Sequence, residues 1–177
     1  MKKYCKKRIL FALLVIVWMV TIFCFSNENG ETSQGTSDII TNAIININEG
    51  LEKNREIISF CVRKLAHFSI YFVGGILLFE FYNTFEVADK RVFGMSALTG
   101  ISYACFDEFH QLFISGRSGQ FRDVCIDSTG IIVALIIMIV IANKCKKIKK
   151  IHLKKKGNKK WLMWLWQFLE TMKIEYW

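Results

Sequence analysis

The sequence predicts an all-α membrane protein, a polytopic helical bundle of four transmembrane helices followed by a C-terminal helix at the membrane interface. Three observations lead there. First, 53% of the residues are apolar and the mean hydropathy is +0.29, and the apolar residues fall in long blocks rather than at the 3.6- or 2-residue period of a soluble core. Second, the net charge of +9 is gathered beside those blocks, at Lys2 to Arg8 and Lys144 to Lys160, as lysines gather against an anionic lipid surface. Third, no stretch interleaves basic residues with exposed aromatics on a readable soluble fold, as nucleic-acid binding would require. Membrane lipids are therefore expected as partners, and nucleic acid is not.

Each element has its own justification. Ile9 to Phe25 follows the basic run Lys2, Lys3, Lys6, Lys7 and Arg8, in the order of a secretory signal peptide. Thr21-Ile22-Phe23-Cys24 places bulky residues where cleavage needs small ones, so the block is expected to remain as the first span. Ser26 to Glu56 is polar, yet Ile39, Ile40, Ala43, Ile44, Ile47 and Leu51 recur at helical spacing, with Thr36, Ser37 or Asp38 available as a cap. Asn42, Asn46, Asn48 and Glu49 interrupt any span there, so this helix is expected against the membrane surface or the bundle. Ile57 to Phe85 reads as the second span, Val92 to Phe106 as a short third, and Val124 to Ala142 as a fourth, close to the ~20 residues a hydrocarbon core requires.

Beyond this domain, residues 9–142, comes a basic segment, 143–160, and then an aromatic one, 161–177. Trp161, Trp164, Leu165, Phe168, Leu169, Met172 and Tyr176 share one helical face, which predicts an interfacial helix with a short fifth span as its competitor. Lysine and arginine placement orients the chain. With the N-terminus inside, the inner segments hold Lys2 to Arg8, Lys90, Arg91 and the lysine-rich tail, and the outer ones only Lys53, Arg55, Arg63, Lys64, Arg117 and Arg122. Both termini are therefore expected in the cytoplasm, in a multi-pass protein of the cell membrane. The single cysteines Cys5, Cys24, Cys61, Cys105, Cys125 and Cys145 are expected as buried thiols. A disulfide between two of Cys61, Cys105 and Cys125 is the sharper alternative.

The topology gathers the polar residues. Lys64, His67, Asp107, Glu108, His110, Gln111, Arg117, Arg122, Asp123 and Asp127 all fall toward the outer side. Helical spacing puts Lys64, His67, Tyr71, Gly74 or Gly75 and Leu78 on one face, Ser96, Gly100, Ala104, Glu108 and Gln111 on another, and Asp123, Asp127, Gly130 or Ile131 and Ala134 on a third. Small residues let helices approach closely, and charges near a bilayer must pair or face water, so a pocket is expected between the helix tops. The loop from Ile114 to Gln120, with two glycines and two serines, permits a tight turn whose amides could meet an anion.

Three uses of this cluster stand side by side. One is structural, with Arg117 and Arg122 answering the carboxylates. Another is recognition of an anionic head group by Lys64, Arg117 and Arg122. A third is acid–base chemistry by His67 or His110 with Asp107, Glu108 or Asp123. Asp107-Glu108-Phe109-His110 is only superficially like HExxH and no established ligand spacing is present, so no metal and no cofactor is expected. Glu80, deep in the second span, is expected to snorkel or pair.

Phe25-Ser26 before a polar stretch, Arg63-Lys64-Leu65-Ala66-His67-Phe68 with Tyr71 and Gly74, Asp107-Glu108-Phe109-His110-Gln111, Gly116-Arg117, and Asp123-Val124 with Gly130 together resemble the VanZ-like family, from about Leu10 to Ala142. That resemblance implies a small bacterial multi-span membrane protein associated with teicoplanin resistance, with Lys64, His67, Asp107, Glu108, Gln111, Arg117, Asp123 and Gly130 at the motif positions. Ser115 replaces the proline that often precedes Gly-Arg in the family, which implies a less rigid turn. The tail beyond Trp161 lies outside the resemblance. The expected function is binding or modulation of an anionic envelope component at the outer face, such as an anionic lipid, a cell-wall precursor or a lipoglycopeptide. A membrane enzyme acting on a lipid-linked envelope precursor, and a structural partner of another membrane protein, are the alternatives.

Overall fold

A computed structural model describes residues 2–154 together with Gln167. Its elements are α1 (Lys2–Ser26), α2 (Gly30–Ile47), a 3-10 turn (Glu49–Asn54), α3 (Arg55–Asn83), α4 (Asp89–Gln111) and α5 (Phe121–Lys154), with no strand among the described residues. Two compact units divide the chain, 1–135 and 136–177. The second comprises the rest of α5 and the segment after it; the expected interfacial helix at 161–177 lies outside the described residues, Gln167 apart.

In the first unit α3 is the centre, packing against α1, α2 and α4, while α1 also meets α4. Gly74 and Gly75 allow this. A Cβ on Gly74 would overlap the Trp18 indole, and one on Gly75 would come within 2.8 Å of the Ala134 Cβ and 2.9 Å of the Ile131 carbonyl. Trp18 in turn donates from Nε1 to the Ile70 carbonyl at 2.9 Å and stands edge-on to Tyr71. Ser96, Gly100 and Ala104 of α4 are buried, as are Gly130, Ile131 and Ala134 of α5. The small-residue faces read from helical spacing are thus the packing faces.

Three segments among the described residues are long and apolar enough to cross a bilayer: Cys5–Ser26, Glu49–Asn83 and Phe121–Ile148. With its large apolar residues turned outward on α1 and α3 (Ile16, Val17, Val20, Leu65 and Val73 are all exposed), the chain has the surface of a multi-pass membrane protein rather than of a soluble one. The fourth expected span does not reach that standard. Helix α4 has the length, 23 residues, or about 34 Å at ~1.5 Å per residue. Asp89, Lys90, Arg91, Asp107 and Glu108 crowd its ends, however, and Ser96, Thr99 and Ser102 dilute its middle.

Helix α2 departs from expectation in where it starts, while most of its isoleucine face, left open between membrane surface and bundle, turns outward. It begins two turns before the proposed caps, because Asn29 accepts from the Thr32 amide at 2.8 Å and nothing between there and Ile47 breaks the helix. Its buried residues are Ser37, Thr41 and Ile45, whereas Ile39 and Ile47 are 71% and 88% exposed. The polar side faces α3. Gln34 Nε2 donates to Asp38 and to Ser59, at 3.1 and 3.0 Å, and Arg63 donates back to Gln34 Oε1 at 3.2 Å.

The cysteine expectation is corrected as well. All six are free, and Cys5, Cys24, Cys61, Cys105 and Cys125 are exposed. They sit on outward helix faces, where a weakly polar thiol is compatible with lipid. At the opposite end from the polar cluster, Glu80 pairs with Lys7 Nζ at 3.2 Å, and Arg8 donates to the Thr84 carbonyl at 2.9 Å while lying over the Phe85 ring.

Candidate functional site

The site is built where the C-terminal ends of α1 and α4 meet the N-terminal parts of α2, α3 and α5. Two short connections hold it. The α1–α2 turn and the α4–α5 loop are tied by the Gly30 amide donating to the Ser115 carbonyl at 3.1 Å. Gly116 has φ 73°, a conformation glycine adopts without penalty, and a Cβ on Gly30 would run into its carbonyl. Arg117 then reaches back to α1, donating from Nε to the Glu28 carbonyl at 3.0 Å and from a terminal nitrogen to the Phe25 carbonyl at 2.8 Å. A cation on carbonyls at a helix C-terminus is favourable through both hydrogen bonding and the helix dipole. Burial draws the Arg117 guanidinium below its ordinary range, and the neighbouring Asp107 and Glu28 charges oppose that fall. These ties hold the turn before Arg117.

From α3, Lys64 Nζ meets both oxygens of Asp123, at 2.5 and 2.6 Å, with the two side chains 12% and 10% exposed. One turn deeper, His67 Nδ1 stands 3.4 Å from Asp127 Oδ1. Asp127 is 0% exposed and neither of its oxygens has a hydrogen-bond partner. From α4, Glu108 accepts from the Gln120 amide at 2.9 Å through Oε2, and Gln111 donates to both Asp107 and Glu108 at 3.3 Å. His67, Glu108 and Asp127 each offer a ligand atom within 4.8 Å of the others.

Eight of the nine sequence-derived candidates, Lys64, His67, Asp107, Glu108, Gln111, Arg117, Asp123 and Asp127, line one of two cavities or touch another that does. Arg122 is the exception. It is exposed, bonds Gln120 Oε1 at 3.0 Å and lies over the Phe60 ring. Neither arginine answers the inner carboxylates in the way a structural ion-pair cluster would require. His110 stacks on Phe23, 4.8 Å between ring centroids, with no carboxylate pair among the described residues. The loop amides are partly committed as well, that of Arg117 to the Ile114 carbonyl and that of Gln120 to Glu108.

The cavities adjoin. One, of about 250 Å³, has Ile22, Phe25, Ala66 and Ile70 among its walls; the other, of about 170 Å³, has Lys64, Ser118, Gln120 and Asp123. Ser33, Arg63, His67, Gln111 and Arg117 line both. Arg63, Gln34 and Ser33 are site residues that apolar periodicity passed over. For Ser33 and Gln34 the signal is the polar spacing Ser33, Ser37, Thr41 and Gln34, Asp38 along α2.

Residues 11–142 match the family model described as VanZ/LLP1. The chain belongs to the VanZ/LLP1 family. The matched range contains α2, α3, α4 and every residue of both cavities, so the site lies wholly within the family domain. No curated protein and no solved structure matches the chain.

Proposed function

We propose that this VanZ-like protein binds an anionic amphiphile of the cell envelope at the outer face of the cell membrane and thereby alters susceptibility to teicoplanin and related lipoglycopeptides. The carrying observation is the pair of adjoining cavities, one offering mostly apolar surface, with Ile22, Phe25, Ala66 and Ile70 set among polar lining residues, and the other mostly polar surface, with Arg63, His67 and Arg117 common to both. That division suits a molecule with a charged head and an apolar body. Lys64 is occupied by Asp123 and Arg117 by backbone carbonyls. Arg63, whose hydrogen bond goes to the neutral Gln34, is the cation best suited to a phosphate or carboxylate. The proposed topology has four spans, α4 crossing alongside α3, and both termini in the cytoplasm. Lysine distribution supports it, and it puts the site outside.

The test is teicoplanin susceptibility of a bacterial host expressing the wild type, Arg63→Gln or Ala66→Phe at matched membrane levels. Ala66→Phe fills the apolar cavity without touching a charge. Protection by the wild type that both variants lose supports the reading. Protection retained in full by both removes the cavities from the function, and a wild type that protects no better than an empty vector removes the link to teicoplanin.

A further inference from the structure

The three-helix cluster beneath the polar cavity has a feature that the amphiphile reading does not use. Asp127 is fully buried, and both of its oxygens lack a hydrogen-bond donor. A buried carboxylate with no donor is strongly disfavoured unless a positive charge meets it. No lysine or arginine stands within ion-pair distance of Asp127 or Glu108 among the described residues; Lys64, one turn before His67 on α3, is taken by Asp123 in a two-oxygen contact. What does face Asp127 is an imidazole nitrogen and a second carboxylate, brought in from two other helices.

We propose that His67 Nδ1, Asp127 and Glu108 form a binding site for a divalent transition cation of the Zn²⁺ or Mn²⁺ kind. The 3.4 Å between His67 Nδ1 and Asp127 Oδ1 is about the edge of a tetrahedron whose corners lie ~2.1 Å from a central ion. The Glu108 oxygen, within 4.8 Å of both, completes the triangle with a small inward movement of its side chain. Two carboxylates and a neutral imidazole match a dication in charge. The imidazole favours a transition metal over Mg²⁺ or Ca²⁺, which prefer oxygen alone. Glu108 is already oriented by the Gln120 amide and Gln111, in the manner of an outer shell that aims a metal ligand. Three protein ligands leave at least one position open. His67 lines both cavities, so that position is within reach of water or an anionic oxygen held there. The site stands independently of what the cavities bind.

The 177-residue chain, purified in mild detergent and stripped with a chelator, is titrated with Co²⁺ followed by visible d–d absorption, and with Zn²⁺ by calorimetry. The expected result is saturable, stoichiometric uptake, with affinity lowered about tenfold or more in Asp127→Asn and in Glu108→Gln and unchanged in the exposed control Glu52→Gln, all with wild-type helicity and elution. X-ray absorption of the Zn²⁺-loaded His110→Gln/His152→Gln protein is the second measurement, since His67 is then the sole histidine and must supply any imidazole signal. Absence of stoichiometric uptake, equal affinity in Asp127→Asn, or a spectrum without imidazole overturns the proposal. Asp127 would then be held by a proton shared with His67.

Discussion

Replacing Lys64 and Asp123, singly and together, separates charge pairing from packing at the mouth of the site. At 2.5 and 2.6 Å the attraction is roughly 6 kcal/mol at an effective dielectric of ~20, and desolvation of two nearly buried groups offsets most of it. Removing one partner leaves the other buried and unanswered. A fully buried pair then loses ~3–5 kcal/mol. With 12% and 10% of the side chains exposed, about 2–4 kcal/mol is expected for Lys64→Met and for Asp123→Leu. The double variant puts two apolar side chains in contact and should recover most of that loss, giving a coupling of about 2 kcal/mol or more. Reversible unfolding in mixed SDS micelles, followed by tryptophan fluorescence, measures all four corners of the cycle. Single losses below about 0.5 kcal/mol that simply add in the double variant would refute the reasoning, because the pair would then be solvated.

Two further outcomes follow from the packing. Trp18→Ala should lower stability by about 3–5 kcal/mol, since the buried indole fills the notch over Gly74 and its removal leaves a cavity; Trp18→Phe keeps most of the volume and loses the bond to the Ile70 carbonyl, for roughly 1 kcal/mol. Both are read as unfolding shifts in the same micelles. Gly30→Ala should cost about 1–3 kcal/mol by forcing the α1–α2 turn off the Gly116 carbonyl, and limited proteolysis should show new cleavage between Leu112 and Gln120 in that variant alone.

Much of the bundle was legible because burial in a helix of small residues has a fixed period. Tyr71, Gly74, Gly75 and Leu78 on α3, Ser96, Gly100 and Ala104 on α4, and Asp127, Ile131 and Ala134 on α5 are all buried. At α2 periodicity left open whether the isoleucine face meets the membrane surface or the bundle; Ile39 and Ile47 face out and Ser37 and Thr41 face in, an arrangement suited to an apolar phase outside. The cysteines were misjudged because a bundle in lipid can turn weakly polar thiols outward. None of the readings of Arg117 foresaw its backbone partners, because sequence shows charges and not the unsatisfied carbonyls at the end of α1. The grouping of His67, Glu108 and Asp127 could not be found from spacing, since each comes from a different helix and only their packing brings the ligand atoms together.

The walls of the larger cavity bear on how any ligand reaches it. Phe25 and Ala66, two of its apolar residues, lie on outward faces of α1 and α3, at a bundle surface made for contact with acyl chains. An amphiphile of the proposed kind arriving there would come out of the leaflet, so its governing concentration would be a mole fraction among lipids. Two compounds with equal intrinsic affinity would then differ in potency by the ratio of their partition coefficients, and lengthening an acyl tail would strengthen the effect without a single new contact to the protein.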